Sequence, residues 1–473
     1  MALHDNRGNP VSATRQQSID GYDAALHLLH GYYGDPLGAI DAVLAEDPEF
    51  VMGHCFRAAL MVISSEAAAV PALVQSVEAA ERLVSRANDR ERGHIAAARA
   101  WIEGDFERAV WLYGSVLADH PRDGLALQVA HLGDFYLGQS RMLRDRVASV
   151  LPRWHTGVPG YGFVLGMHAF GLEEMGEYAR AEETGRAALA LNPRDPWATH
   201  AVAHVMEMQG RHPEGIRWLE DSSQDWSPGN GFAFHNWWHL ALQYLDLGDH
   251  PRVLNLYDEG VRPHASNVVL ELIDASALLW RLHLRGASLG NRWRPLADTW
   301  AGRVDEAYYA FNDVHAMMAF VADGRQAEAQ RLLSNLERRA GEGGTNAMMT
   351  SEVGIALSRA LLAFGREDYT TCAQLLLPVR FIAHRFGGSH AQRDLIHLTL
   401  TEAATRAGMA PLAQALAEER VEIKPTSPHN WTLLQRARMV AINRRGAEEA
   451  QLHSVRAQHT AVSALRALTA EAA

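Results

Sequence analysis

The spacing of its glycines constrains this 473-residue chain more than any other feature. Gly104, Gly138, Gly176, Gly210, Gly248, Gly286, Gly324, Gly365 and Gly408 follow one another at intervals of 34, 38, 34, 38, 38, 38, 41 and 43 residues. Each is preceded by apolar residues at helical spacing. A period in the thirties with that pattern marks stacked helix pairs, since a lone pair cannot bury its own apolar face and is completed by its neighbour. Glycine at the end of a helix allows the left-handed residue that stops it and satisfies its last carbonyls. The residues that follow also recur. Gly104-Asp-Phe-Glu-Arg-Ala and Gly176-Glu-Tyr-Ala-Arg-Ala put an aromatic and an alanine at matching offsets, and Pro121, Pro193 and Pro425 each stand 17 residues past a turn glycine. Alternating β-branched runs between hairpin turns are missing, so the expected architecture is an all-α solenoid of helix pairs. Residues 16–459 read as one domain, 1–15 as a flexible N-terminus and 460–473 as a C-terminal tail. Loops are expected at 152–161, 221–231 and 338–346, which are rich in Gly, Pro, Ser or Asn.

Composition excludes several kinds of function. With 48% hydrophobic and 21% charged residues the chain can build a large core and is not of the disordered class. A net charge of −12 argues against nucleic acid or an anionic membrane as partner, because both need a basic surface. Residues 1–20 hold no apolar core and no eighteen apolar residues run together, so a cytoplasmic protein without membrane contact is expected. Cys55 and Cys372 belong to no CxxC pair, which fits a reducing compartment. Lys424 is the single lysine among 44 basic residues. Its surroundings match no motif for a P-loop, a Schiff base or Ser-Lys catalysis, so a lysine-dependent cofactor such as pyridoxal phosphate is excluded.

The glycine, aromatic, alanine and proline offsets resemble the tetratricopeptide repeat, which implies a tetratricopeptide-like helical-repeat superhelix. A finer resemblance rests on the strings FVMGH, DHPRDGLAL, FYLG, LNPRDPWATHAVAHVMEMQG, HNWWHLALQYLDLGD, LYDEGVRP, FNDVHAMMA, LLLPVR and GGSHAQRD. In this order, from about Asp47 to Pro428, they resemble the tetratricopeptide repeat protein 38 family. That resemblance implies a shared superhelix and shared polar positions, and no reaction. The family often carries Asn where this chain has His390, which sets His390 apart from the shared positions.

The chain contains 24 histidines, two pairs of which have i, i+4 spacing: His200/His204 and His235/His239. With the turn glycine as position 15 of a tetratricopeptide unit, His200, His204 and Glu207 fall at positions 5, 9 and 12, which line the concave groove in the repeats this chain resembles. Their i, i+4, i+7 spacing independently puts them on one helix face, and His-His-Glu is a competent ligand set for zinc, manganese or iron. HAVAH lacks the glutamate of the metalloprotease motif. Asn236 and His239 stand twelve and nine residues before Gly248, and Asn312 and His315 stand at the same offsets before Gly324. An amide three residues from an imidazole can orient it or bind a ligand, or both can satisfy buried helix ends; the two readings weigh equally. Asp313 points away from His315 on an ideal helix.

Other candidates carry structural explanations beside functional ones. Ser389 and Gln392 form a capping box, while His390, Asp394 and His397 share a face and Arg393 is placed to bind a carboxylate or pair with an acid. Trp197, Trp226, Trp237 and Trp238 would wall a pocket or fill the core. Asp274 and Arg281, seven apart, are expected to form an inward ion pair. His168 reads as core.

Two functions follow from these residues. In the first, a small polar ligand or peptide binds a His-lined concave pocket; His204, His239 and His315 act as general acids and bases, and His200, Glu207, His235, Asn236, Trp238, Asn312, Asp313, Arg393 and Asp394 bind the ligand. A divalent metal on His200, His204 and Glu207 would then assist hydrolase or lyase chemistry. In the second, the protein is a non-catalytic scaffold that holds a peptide or partner protein in its groove. Whether the chain is an enzyme, and its oligomeric state, stay open at this level.

Overall fold

The computed structural model describes residues 3–470. The chain is an all-α tetratricopeptide-like helical repeat, and its turns show why the glycine period arises. The helix Asp89–Ile102 is followed by Gly104 at φ +81°, whose N–H and that of Asp105 return to Trp101 and Ala100. The Asp105 carboxylate then caps the helix Phe106–Asp119 by accepting from the Arg108 N–H, and the Phe106 ring stacks on Trp101 at 4.1 Å. One glycine thus ends a helix, one aspartate starts the next, and the aromatic closes the corner. Gly138, Gly176, Gly210, Gly248, Gly286, Gly324 and Gly408 also adopt positive φ. Gly365 does not: Glu367 takes the left-handed turn at φ +61°. A Cβ on Gly365 would lie 2.4 Å from Val321 Cγ1, so that glycine serves close helix packing.

The helices gather into two compact units. The first comprises the chain to Val202 with Asp225–Phe232 and Glu342–Met348; the second comprises Ala203–Gln224, Ala233–Gly341 and the chain from Met349. The segment Thr345–Gly365 has the length and composition of a membrane span, but 67% of it is buried among packed helices, as in a core helix.

In the first unit, residues 3–12 are packed rather than flexible. Leu3–His4 pairs antiparallel with Pro10–Val11, and the hairpin buries Asp5, Arg7 and Asn9. Arg90 joins Asp5 at 3.2 Å and Asp123 at 2.6 Å, and Arg7 joins Asp23 at 3.0 Å. Asp123 also accepts from the Leu125 and Ala126 N–H groups, capping the helix Gly124–Tyr136, and meets His94 Nε2 at 2.7 Å. These charges are held out of water only because each meets an opposite charge or a helix end. At the other terminus, residues expected in a tail continue the helix Arg444–Ala470. Met1, Ala2 and 471–473 lie outside the described residues.

In the second unit the helices Ala233–Asp246, Val269–Leu284 and Ala310–Ala322 stack in order, and His390–Arg406 packs against Val269–Leu284. The last helices return to the first: Arg444–Ala470 packs on His212–Asp221, Thr426 Oγ1 donates to the Gly210 carbonyl at 3.0 Å, and Ser427 Oγ donates to Asp246 at 2.8 Å. Gly210 is required there, since a Cβ would meet Thr426 Oγ1 at 2.1 Å. Residues of these last helices, among them Thr432 and Gln458, line a cavity of this unit.

Candidate functional site

The second unit brings His204, His235 and His239 together. His204 and Glu207 come from the C-terminal half of Pro196–Met208, and the histidine pair comes from the first turns of Ala233–Asp246. Ligand nitrogens of the three histidines lie within 4.8 Å of one another, and the His204 and His239 rings are 4.3 Å apart. His235 Nδ1 faces Asp274 Oδ2 at 2.6 Å, His239 Nδ1 faces Glu207 Oε2 at 2.9 Å, and the two Nε2 atoms face each other at 3.3 Å. Trp238 stacks flat on His235, with ring centres 5.4 Å apart, and fixes its plane.

The carboxylates determine the tautomers. A carboxylate accepts, so each Nδ1 carries a hydrogen and each Nε2 is turned toward the other ring. The two Nε2 atoms stand 3.3 Å apart, close enough to share one proton or to hold one cation between them. Nitrogens bound at 2.0–2.1 Å to one tetrahedral zinc ion stand roughly 3.3–3.4 Å apart, and metal-binding histidines characteristically donate their other N–H to a carboxylate. Burial holds His239 well below the usual histidine range, with His204, His235 and Arg281 pushing the same way, so its ring is held neutral. Burial pushes the Asp274 carboxyl up against the opposing pull of His235. This buried His/Glu cluster has the donors and spacing to bind a metal ion.

The second unit also contains cavities, one of which shares Glu207 with the cluster. One of about 450 Å³ is lined by Asp246, Arg281, Arg285 and Arg406, and one of about 480 Å³ by Glu207, Arg393, Asp394 and Lys424. A narrow space of about 40 Å³ shares Arg281 and Arg285 with the first and Glu207 and Lys424 with the second. Glu207 therefore touches both His239 and the cavity.

The remaining predicted residues are distributed as follows. His200, one turn before His204, belongs to the first unit, where its ring packs 5.2 Å from Phe170, 5.1 Å from Trp197 and 5.3 Å from Phe232. Glu207, expected as a direct metal ligand beside His204, instead supports His239. His315 is not brought into the cluster: its Nδ1 donates to the Phe311 carbonyl at 2.7 Å and its ring packs on Phe311, while burial lowers it to about 4. Asn236 and Asn312 are buried at matching repeat positions. Asp313 lies in the first turn of Ala310–Ala322, where burial raises its carboxyl to about 8. Ser389 and Gln392 form the expected capping box. Arg393, read as a carboxylate binder, donates to the Gly388 carbonyl, because the Gly387-Gly388 loop exposes carbonyls beside it. Asp394 is engaged by Arg420 at 2.6 and 3.1 Å. The expected Asp274–Arg281 ion pair does not form: Asp274 is taken by His235, and Arg281 reaches the Ala391 carbonyl at 2.5 Å. Both cysteines are free and buried.

Sequence reasoning missed Asp274 as the partner of His235, although the repeat marks it. Asp274 stands twelve residues before Gly286, as Asn236 stands before Gly248 and Asn312 before Gly324. Arg285 and Arg420 carried no such signal.

No protein-family model matches the chain. It is 31% identical over 188 residues to cellulose synthase 1 operon protein C of Komagataeibacter xylinus, a match covering 37% of this chain and 14% of that protein, so the chain spans a small part of that relative's length. Among solved structures it is similar to the human IFIT1 dimer with PPP-AAAA, at a TM-score of 0.41 and 12% identity over 93% of this chain and 94% of that one. It is also similar to yeast Tom70, at 0.34 and 13% over 95% and 96%. A third similarity is to the APC/C hetero-tetramer Cut9-Hcn1, at 0.34 and 11% over 96% of both chains.

Proposed function

We propose that this tetratricopeptide-like protein binds a divalent metal at His204, His235 and His239, and a small polar molecule in the adjoining cavity of its second unit. The facing Nε2 atoms of His235 and His239, each ring backed by its own carboxylate, carry this reading. Zinc suits the all-imidazole donor set best, with manganese and iron as weaker fits. His204, His235 and His239 would bind the ion directly, while Asp274 orients His235 and Glu207 orients His239. Glu207, on the cavity wall, is the group placed to exchange a proton with a bound molecule, as hydrolase-type or lyase-type chemistry requires. A cytoplasmic location and kinship with the tetratricopeptide repeat protein 38 family belong to the same proposal.

The test is elemental analysis of the purified protein beside His204→Ala and His239→Ala. The reading expects one metal per chain, lost in both variants while their helical content is kept. Trace metal that is equal in all three proteins would leave the scaffold reading, in which the histidines serve packing alone.

A further inference from the structure

We infer that Arg281 and Arg285 form the receptor for an anionic group, carboxylate or phosphate, of the molecule that occupies the second unit's cavity. Both line the cavity of about 450 Å³ and the narrow space beside it. They stand one turn apart at the end of the helix Val269–Leu284, so their side chains share a face.

Neither guanidinium forms an ion pair among the described residues, although Arg281 is only 4% exposed. Arg281 donates to the carbonyls of Ala277 at 3.3 Å and Ala391 at 2.5 Å, and Arg285 donates to the Leu245 carbonyl. The carboxylates around them are committed elsewhere: Asp394 to Arg420, Glu207 to His239, Asp246 to His212 at 2.7 Å, and Glu402 to Arg406 at 2.6 Å and Arg436 at 2.8 Å. Lys424, which lines the narrow space, also has no ion pair among the described residues. Buried charge without counter-charge is costly. The cost is visible here as burial drawing both guanidiniums down, Arg285 to about 10. Glu207, Asp246 and Asp394 line the same narrow space, yet against Arg281, Arg285, Arg420 and Lys424 they leave a net positive charge around it, which favours an anion. Two planar guanidinium forks suit the paired oxygens of a carboxylate or phosphate. Arg281 also lies 5.4 Å over the Trp238 ring that stacks on His235, so an anion held there is one side chain from the histidines.

The inference rests on the cavity being a ligand site, and not on the metal. The test is calorimetric titration of the full chain with citrate and succinate in one arm and inorganic phosphate and pyrophosphate in the other, with chloride at matched ionic strength as reference. Saturable binding in either arm, weakened at least about tenfold by Arg281→Met and by Arg285→Met, supports the receptor and names its oxygens. Metal content unchanged in both variants separates this result from the metal reading. The unliganded melting temperature of Arg281→Met should hold or rise, since an unpaired buried charge is removed. No heat beyond chloride in either arm, or binding kept in both variants, overturns the inference. If Arg281→Met fails to fold, Arg281 is structural, and Arg285→Met alone decides whether an anion binds.

Discussion

Asp274→Asn tests whether the carboxylates exist to tune the histidines. Asp274 is 1% exposed, and its Oδ2 accepts from His235 Nδ1 at 2.6 Å, a length typical of a charge-assisted bond. The amide keeps the shape and one acceptor but loses the charge, so the His235 Nε2 lone pair becomes less basic and its tautomer less fixed. Loss of such an outer partner costs about 10- to 100-fold in metal affinity, or about 1.4 to 2.8 kcal/mol. The upper half of that range is expected, because the pair is buried. Fold stability should respond differently. Burial already opposes the charged Asp274, so the neutral amide should change the metal-free unfolding free energy by no more than about 1 kcal/mol. Competition with a chromophoric chelator measures the first quantity, and urea unfolding of metal-free protein the second. Metal affinity within twofold of wild type, or a metal-free loss as large as the metal-bound one, would refute the reasoning.

In the first unit, Asp123→Ala leaves Arg90 and the helix Gly124–Tyr136 without their shared carboxylate, and urea unfolding should show a loss of about 3–5 kcal/mol; a loss under about 1 kcal/mol would contradict the buried-network account. Acid should destabilise the protein. Burial lowers His30 and His131 to about 3 and His315 to about 4, so below about pH 6.5 the unfolded chain takes up protons that the folded chain refuses. Each such histidine withdraws about 1.4 kcal/mol per pH unit until its folded value is reached, and none contributes above about pH 7. Unfolding measured at pH 7.5, 6 and 5 should fall accordingly, whereas a flat profile would be inconsistent with neutral buried rings. Ser389→Ala removes the acceptor for the Gln392 N–H and should cost about 1 kcal/mol by thermal melting, against no change if the cap is idle.

The fold was legible because its signals are local. A turn glycine followed by Asp or Glu and an aromatic specifies the end of one helix, the cap of the next and the corner between them, and Gly104-Asp105-Phe106 does all three. Gly365 misled because a glycine demanded by packing looks the same in sequence as one demanded by a turn. Within the site, the i, i+4 spacing of His235 and His239 was sufficient to place both rings on one side of a helix. Their partners were harder to assign. Asp274 and Arg281 share a helix face, and helix geometry alone paired them; the neighbouring helices instead offer His235 to one and a loop carbonyl to the other. The packed residues 3–12 were missed because their order comes from Arg90, Asp123 and Asp23, more than a helix away in sequence.

An anomalous difference map at the zinc edge, from crystals grown with zinc, addresses the central claim most directly. A single strong peak about 2.0–2.1 Å from the Nε2 atoms of both His235 and His239, with a His204 nitrogen in the same shell, is the predicted result. A fully occupied zinc elsewhere with no density between those two nitrogens, or no peak at all, would contradict it.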